Sequence, residues 1–126
     1  MDAAYAAAEA AQDDWADRTP EERASVVAAA RELVGKYREE FAHLFAVECG
    51  GTRLKADIEL DLTAGTMAVA EDRADAYGTE ERESALEGKR NLVFREPAGV
   101  VGVISPWNFP LYLSMRAVAP AVALGD

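Results

Sequence analysis

Residues 100–104 read Val-Val-Gly-Val-Ile, and no other run in the chain restricts the fold as much. A short β-branched run, apolar throughout, fits a strand covered on both faces, as parallel strands are. Ser105-Pro106-Trp107-Asn108-Phe109-Pro110 follows as a loop, and a helical pattern returns over residues 111–124. Strand, loop and helix in that order open a βαβ unit. A parallel strand needs a hydrogen-bonded neighbour, and no second run of this kind follows before Gly125-Asp126. The pattern therefore predicts a piece of a larger α/β fold.

Upstream, the reading is mostly helical. Residues 2–17 are rich in alanine, with Tyr5 and Trp15 as the only large apolar groups. Thr19-Pro20-Glu21-Glu22 marks a helix start: Thr19 can cap, Pro20 suits the first helical position, and Glu22 completes a capping box. Val26, Ala30, Leu33, Tyr37, Phe41 and Leu44 then recur at helical spacing, with Gly35 a candidate kink, and Cys49-Gly50-Gly51-Thr52 ends that helix. A further helix is predicted over 54–77. Ile58, Leu62, Val69 and Tyr77 lie on one face and Leu60, Met67 and Ala74 on another, as if buried between neighbours. Gly78 reads as its stop. Residues 79–90 read as a polar connector, 91–96 as a strand, and Pro97-Ala98-Gly99 as a turn.

Composition excludes several classes of function. The 126 residues carry 23 acidic and 13 basic side chains, a formal charge of -10. A nucleic-acid partner calls for a basic face, so none is expected, and an anionic membrane surface is disfavoured for the same reason. The C-terminal apolar stretch is broken by Asn108, prolines and Arg116, so no transmembrane helix is expected. The acidic N-terminus does not read as a signal peptide, and a cytoplasmic location is expected. One cysteine, Cys49, and one histidine, His43, leave no disulfide framework and little room for a metal site. Leu, Ile, Val and Phe number 27 of 126, about 21%, which makes a thin core. Ten arginines against three lysines, with 26 alanines and many acids, suggest a salt-rich cytoplasm. Hydrated carboxylates would keep such a surface soluble where salt screens charge repulsion.

Residues 97–125, PAGVVGVISPWNFPLYLSMRAVAPAVALG, resemble the aldehyde dehydrogenase superfamily. The resemblance rests on the Pro97, Gly99, Val101, Gly102 spacing, the PWNFP core, and Ala119-Pro120-Ala121 with Gly125. Weaker landmarks continue it upstream: Trp15, Pro20-Glu21-Glu22-Arg23-Ala24, Glu48 with Gly50, Lys55-Ala56 and Glu59. Leu113-Ser114-Met115-Arg116 looks most like the benzaldehyde and vanillin dehydrogenase branch. The implied fold class is α/β, an N-terminal fragment of an aldehyde dehydrogenase-like fold. It would be mostly helical, with the first strand and helix of a Rossmann-like cofactor domain. The implied organisation is one partial domain: a helical segment over 1–78, a connector and strand over 79–96, and the start of the βαβ unit over 97–126.

What the resemblance implies chemically is oxidation of an aldehyde, with the branch suggesting an aromatic one, to a carboxylic acid, with NAD or NADP as cofactor. A homo-oligomer is implied for the complete enzyme. Asn108 would donate its amide to the oxyanion formed as a cysteine thiolate attacks the aldehyde, a task for a fixed neutral donor. Ile104, Ser105, Pro106 and Trp107 would line the nicotinamide and ribose side of the cofactor, at the carboxyl end of the strand. The family's nucleophile and general base fall downstream of this motif. Cys49, at a helix C-terminus where the dipole opposes a thiolate, is not read as the nucleophile. His43 reads as a surface or half-buried residue, and Glu48 and Glu59 as helix-surface or capping residues. No site role is assigned to Arg116. Many family members carry Lys at the next position, where this chain has Ala117, so that residue's role does not carry over. The chain alone is then expected to be inactive. A gene remnant, or a small helical subunit that binds a complete relative, is the alternative.

Overall fold

The structure, a computed structural model, describes residues 1–76 and 78–126. Tyr77, expected on one face of the third predicted helix, lies outside them. In chain order the elements are α1 (Asp2–Ala16), α2 (Pro20–Lys36), α3 (Arg38–Cys49), α4 (Arg53–Asp72), β1 (Gly78–Glu83), β2 (Arg90–Arg95) and α5 (Pro110–Leu124).

Caps divide the helical segment where the sequence offers them. Thr19 Oγ1 accepts from the Glu22 amide at 3.2 Å, and Glu22 Oε2 accepts from the Thr19 amide at 3.0 Å, so the capping box is complete. The helix expected to run through residue 44 breaks at Tyr37, two residues beyond the candidate kink at Gly35. The buried stripe is offset by one residue from the predicted one, and the offset is present within α2 ahead of the break. The predicted stripe of Val26, Leu33, Tyr37 and Leu44 is exposed, and Val27, Val34, Ala42 and Phe45 are buried instead. Gly50 ends α3 in the left-handed conformation, at φ 63°. Thr52 then caps α4 through the Lys55 amide at 3.2 Å.

α4 is the centre of the fold. Its contacts with α5 and α2 are the most extensive between helices. Ala56, Leu60, Met67 and Ala70, with Ala74 just beyond the helix end, are buried in one core with Val27, Val34, Phe45, Ala119 and Ala123. Only one of the two expected apolar faces is covered, since Ile58, Leu62 and Val69 remain exposed. The helix also stops sooner than expected, at Asp72, and Gly78 opens a strand rather than closing a helix.

Residues expected to connect form half of a hairpin. β1 pairs antiparallel with β2, Gly78 opposite Arg95 and Glu83 opposite Arg90. The expected strand over 100–104 has no partner strand among the described residues and is not a ladder strand. Its β-branched run supplies the preference for a strand but not the neighbour that a ladder requires. The βαβ opening is thus represented among the described residues by its loop and helix, without a paired strand.

Candidate active site

The loop after the apolar run and the start of α5 form the part of the chain richest in chemistry. Gly102 lets α1 approach this segment: a Cβ there would collide with the Tyr5 hydroxyl. Val100, Val101 and Val103 face α1 and α5 across a cavity of about 420 Å³, whose other walls include Ala8, Trp15 and Val122. Trp15 donates its indole N–H to the Val122 carbonyl at 3.0 Å, fixing α1 to the far end of α5.

Four of the five expected site residues are open to solvent. Ile104 is 100% exposed and Trp107 79% exposed. Pro106 and Asn108 are exposed as well, while Ser105 is half-buried. Asn108 lies in the turn just ahead of α5, two residues before Pro110. Its side-chain amide has no hydrogen bond with any of the described residues. The structure therefore brings 104–108 together on one exposed loop and leaves the Asn108 amide uncommitted.

That loop is anchored from two sides. Ser114 Oγ donates to the Pro110 carbonyl at 2.6 Å and lies 2.8 Å from Ser105 Oγ, whose proton it can accept. On the other side stands Glu59, the most informative residue that sequence reading assigned a default role. Its side chain is fully buried, at 0% exposure. Glu59 Oε1 accepts from the Leu111 amide at 2.8 Å and the Tyr112 amide at 3.3 Å. Phe109, at the N-cap of α5, offers no side-chain cap, and the first amides of a helix lack intrahelical partners. Glu59 supplies that cap from α4, across 52 positions of sequence. The expected capping role is correct, but for another helix; the expected surface placement is not.

Glu59's second oxygen accepts from Lys55 Nζ at 3.1 Å. Lys55 Nζ in turn sits 4.5 Å from the Phe109 ring centroid and 5.9 Å from that of Phe45. The buried carboxylate is thus paired and hydrogen-bonded on both oxygens, as burial of a charge requires. A signal for it exists in the sequence. Glu59 lies within the helical stripe Ala56, Leu60, Thr63, Met67, and a carboxylate inside such a stripe faces a partner rather than water.

The Glu59 cap also bears on a dinucleotide. In many α/β folds the pyrophosphate rests on the N-terminus of the first helix. Here a buried carboxylate already occupies the first-turn amides of α5, so an anionic phosphate would be repelled there. Cys49 sits at the C-terminal end of α3, half-buried, and His43 is exposed. Among the described residues no cluster of metal-ligating side chains occurs, and no helix is long and apolar enough to cross a membrane.

The model of the aldehyde dehydrogenase family matches residues 1–126. The chain belongs to the aldehyde dehydrogenase family. It is 43% identical over 126 residues to a vanillin dehydrogenase of Corynebacterium glutamicum, covering all of this chain and 26% of the relative. It is 44% identical over 126 residues to an NAD(+) benzaldehyde dehydrogenase of Pseudomonas putida, again covering all of this chain and 26% of the relative. The solved NAD-dependent benzaldehyde dehydrogenase of Corynebacterium glutamicum superposes with a TM-score of 0.90 at 44% identity, over 98% of this chain and 27% of that one. This aldehyde dehydrogenase chain therefore spans about a quarter of the length of the relatives it matches. Its mostly helical fold is that of the corresponding segment of these enzymes.

Proposed function

We propose that this chain is the N-terminal portion of an NAD(P)-dependent aldehyde dehydrogenase, and that Asn108 supplies an oxyanion donor to the complete enzyme. One observation carries the reading: an uncommitted, solvent-facing amide sits on a loop anchored at both ends, just before α5. As a thiolate adds to an aldehyde carbon, charge collects on the carbonyl oxygen. A fixed neutral N–H donor stabilises that charge without the cost of reorganising solvent. A carboxylate there would repel it. Bound NAD or NADP would accept the hydride. Ile104, Ser105, Pro106 and Trp107 would hold its nicotinamide end, and the loop anchors would keep that surface in place.

An aromatic aldehyde is the substrate class the relatives favour, being named for vanillin and benzaldehyde. Oligomer formation is supported by the hairpin, where Leu92 and Phe94 are exposed. Residues 1–126 alone are proposed to be inactive, because neither Cys49 nor His43 lies in the loop cluster. Reduced-nicotinamide absorbance with benzaldehyde checks this: turnover that vanishes in Cys49→Ala would disprove it.

The test of Asn108 uses the complete enzyme, assembled by joining residues 1–126 to the remainder of the Corynebacterium glutamicum vanillin dehydrogenase. Asn108→Ala should lower kcat roughly 100- to 1000-fold, the usual effect of losing one oxyanion donor. The NAD dissociation constant should change much less, since Trp107 and the loop backbone remain. Asn108→Asp should be at least as damaging. A well-folded Asn108→Ala enzyme with near-normal kcat refutes the assignment.

A further inference from the structure

We infer that Glu59, held by Lys55, is a positioning residue that sets the place of Asn108 through the first turn of α5. The inference rests on the oxyanion reading of Asn108 given above. Three observations carry it. Glu59 is fully buried, and one of its oxygens takes the amides of both Leu111 and Tyr112, at 2.8 and 3.3 Å. These are the second and third residues of α5, the positions whose amides an N-cap side chain ordinarily satisfies. Phe109 provides no such cap, and among the described residues Glu59 is the side chain that accepts from these first-turn amides. Asn108 is one residue ahead of that cap. A shift of the first turn therefore carries Asn108 with it.

Lys55 makes the arrangement directional. Its ammonium reaches Glu59 at 3.1 Å and rests 4.5 Å from the Phe109 ring centroid. One α4 cation thus touches both the capping carboxylate and the residue adjoining Asn108. Thr52 caps α4 three residues before Lys55, so the chain of contacts begins at a defined helix start. Thr63 Oγ1 donates to the Glu59 carbonyl at 2.7 Å and packs the next turn. The contacts run from α4 to the first turn of α5 and the residue adjoining Asn108.

A positioning role differs from a structural one in what it couples to, and a double-mutant cycle in the complete enzyme separates them. With wild-type Asn108, Glu59→Ala should lower kcat about 10- to 100-fold, the usual scale for displacing a catalytic group by around an ångström. KM for the aldehyde and the NAD dissociation constant should move less than about threefold. In the Asn108→Ala background, Glu59→Ala should lower kcat less than about twofold further, because no donor remains to be misplaced. Glu59→Gln retains an acceptor oxygen for the two amides and should hold kcat within about fivefold of the parent, guarding against a folding artefact. Amide hydrogen exchange supplies a readout besides activity: Leu111 and Tyr112 should lose protection in Glu59→Ala and keep it in Asn108→Ala. Equal kcat losses from Glu59→Ala in both backgrounds, or unchanged protection of the two amides, overturn the inference while leaving the oxyanion reading intact. An unchanged kcat in Asn108→Ala alone overturns the oxyanion reading and the inference with it.

Discussion

Arg23 shows how one residue joins three parts of the chain. Its guanidinium is buried, and no carboxylate forms an ion pair with it among the described residues. It donates instead to main-chain carbonyls: Nε to Ala123 at 3.0 Å, and Nη1 to Ala16 at 3.2 Å and also to Arg18. Ala16 closes α1 and Ala123 lies in the last turn of α5. The negative ends of two helix dipoles therefore converge on one cation, and the orphan carbonyls there gain donors. Gly125 makes room for this: at φ 97° it ends α5 in a left-handed turn, and a Cβ would lie 3.1 Å from Pro97 Cγ and 3.5 Å from Arg23 Cζ. Arg23→Ala should destabilise the fold by about 3 kcal/mol, since it leaves buried carbonyls without donors and opens a cavity. Arg23→Lys should recover less than half, because an ammonium lacks the planar fork that reaches several carbonyls at once. Urea midpoints of the two variants check this, and a midpoint for Arg23→Ala equal to the parent's contradicts the account. The place of Asn108 in the loop just ahead of α5 is legible at this scale because its motif is contiguous. The burial of Glu59 is signalled by its place in the apolar stripe of α4, but its partners are not, since the amides it caps lie 52 residues away in sequence.

Among elements, the helices announced themselves through their caps and β2 through the run expected as a strand over 91–96, but β1 did not. Thr19, Thr52 and Gly50 mark boundaries with local chemistry that a sequence displays directly. β1 reads Gly-Thr-Glu-Glu-Arg-Glu, with no apolar alternation to signal a strand. What holds it is the partner strand and the charges across it. Glu80 accepts from Arg82 Nε at 3.0 Å and from Arg95 Nη2 at 2.9 Å. Those hydrogen bonds, Arg82 first and Arg95 second, hold the Glu80 carboxyl at a pKa of about 2 instead of its ordinary 4.5. A carboxyl depressed on folding contributes stability that is fully present above its unfolded pKa and is lost as pH falls through its folded one. The hairpin should therefore weaken progressively between about pH 4.5 and pH 2. Amide exchange at Val93 and Phe94, compared at pH 5 and pH 2.5, measures it. Glu80→Gln should be weaker at pH 5 and lose most of the difference between the two pH values; an undiminished difference assigns the effect to other carboxylates. The 100–104 run is the opposite case. Its composition signals a strand plainly, but a ladder needs a second segment, and none of the described residues provides one.

For the whole molecule the question is whether the charge of -10 or the ion pairs dominate the response to salt. Arg53 and Arg38 tie α3 to α4 through Glu39, Asp57 and Asp61, with N–O distances of 2.6 to 3.2 Å. These pairs are largely exposed, and each contributes at most about 1 kcal/mol. Opposing them, α1 carries Asp2, Glu9, Asp13 and Asp14 with no basic residue. Asp13 and Asp14 also lie near the negative end of its dipole. α1 buries no residue fully, so little packing offsets that repulsion within it. Screening acts unequally on the two effects. Raising ionic strength from 10 mM to 1 M shortens the screening length from roughly 30 Å to roughly 3 Å. That removes repulsion between separated carboxylates but leaves much of the interaction between groups in contact. Salt should therefore stabilise the molecule on balance, as the excess of acids over lysines suggested. The urea midpoint should rise between 10 mM and 1 M KCl, with urea chosen because it adds no ions of its own. Asp13→Asn with Asp14→Asn should raise the midpoint at 10 mM and shrink the rise, since it removes like charge from the negative end of α1. A midpoint that falls with salt in the parent chain would mean that the α3–α4 ion pairs outweigh the repulsion.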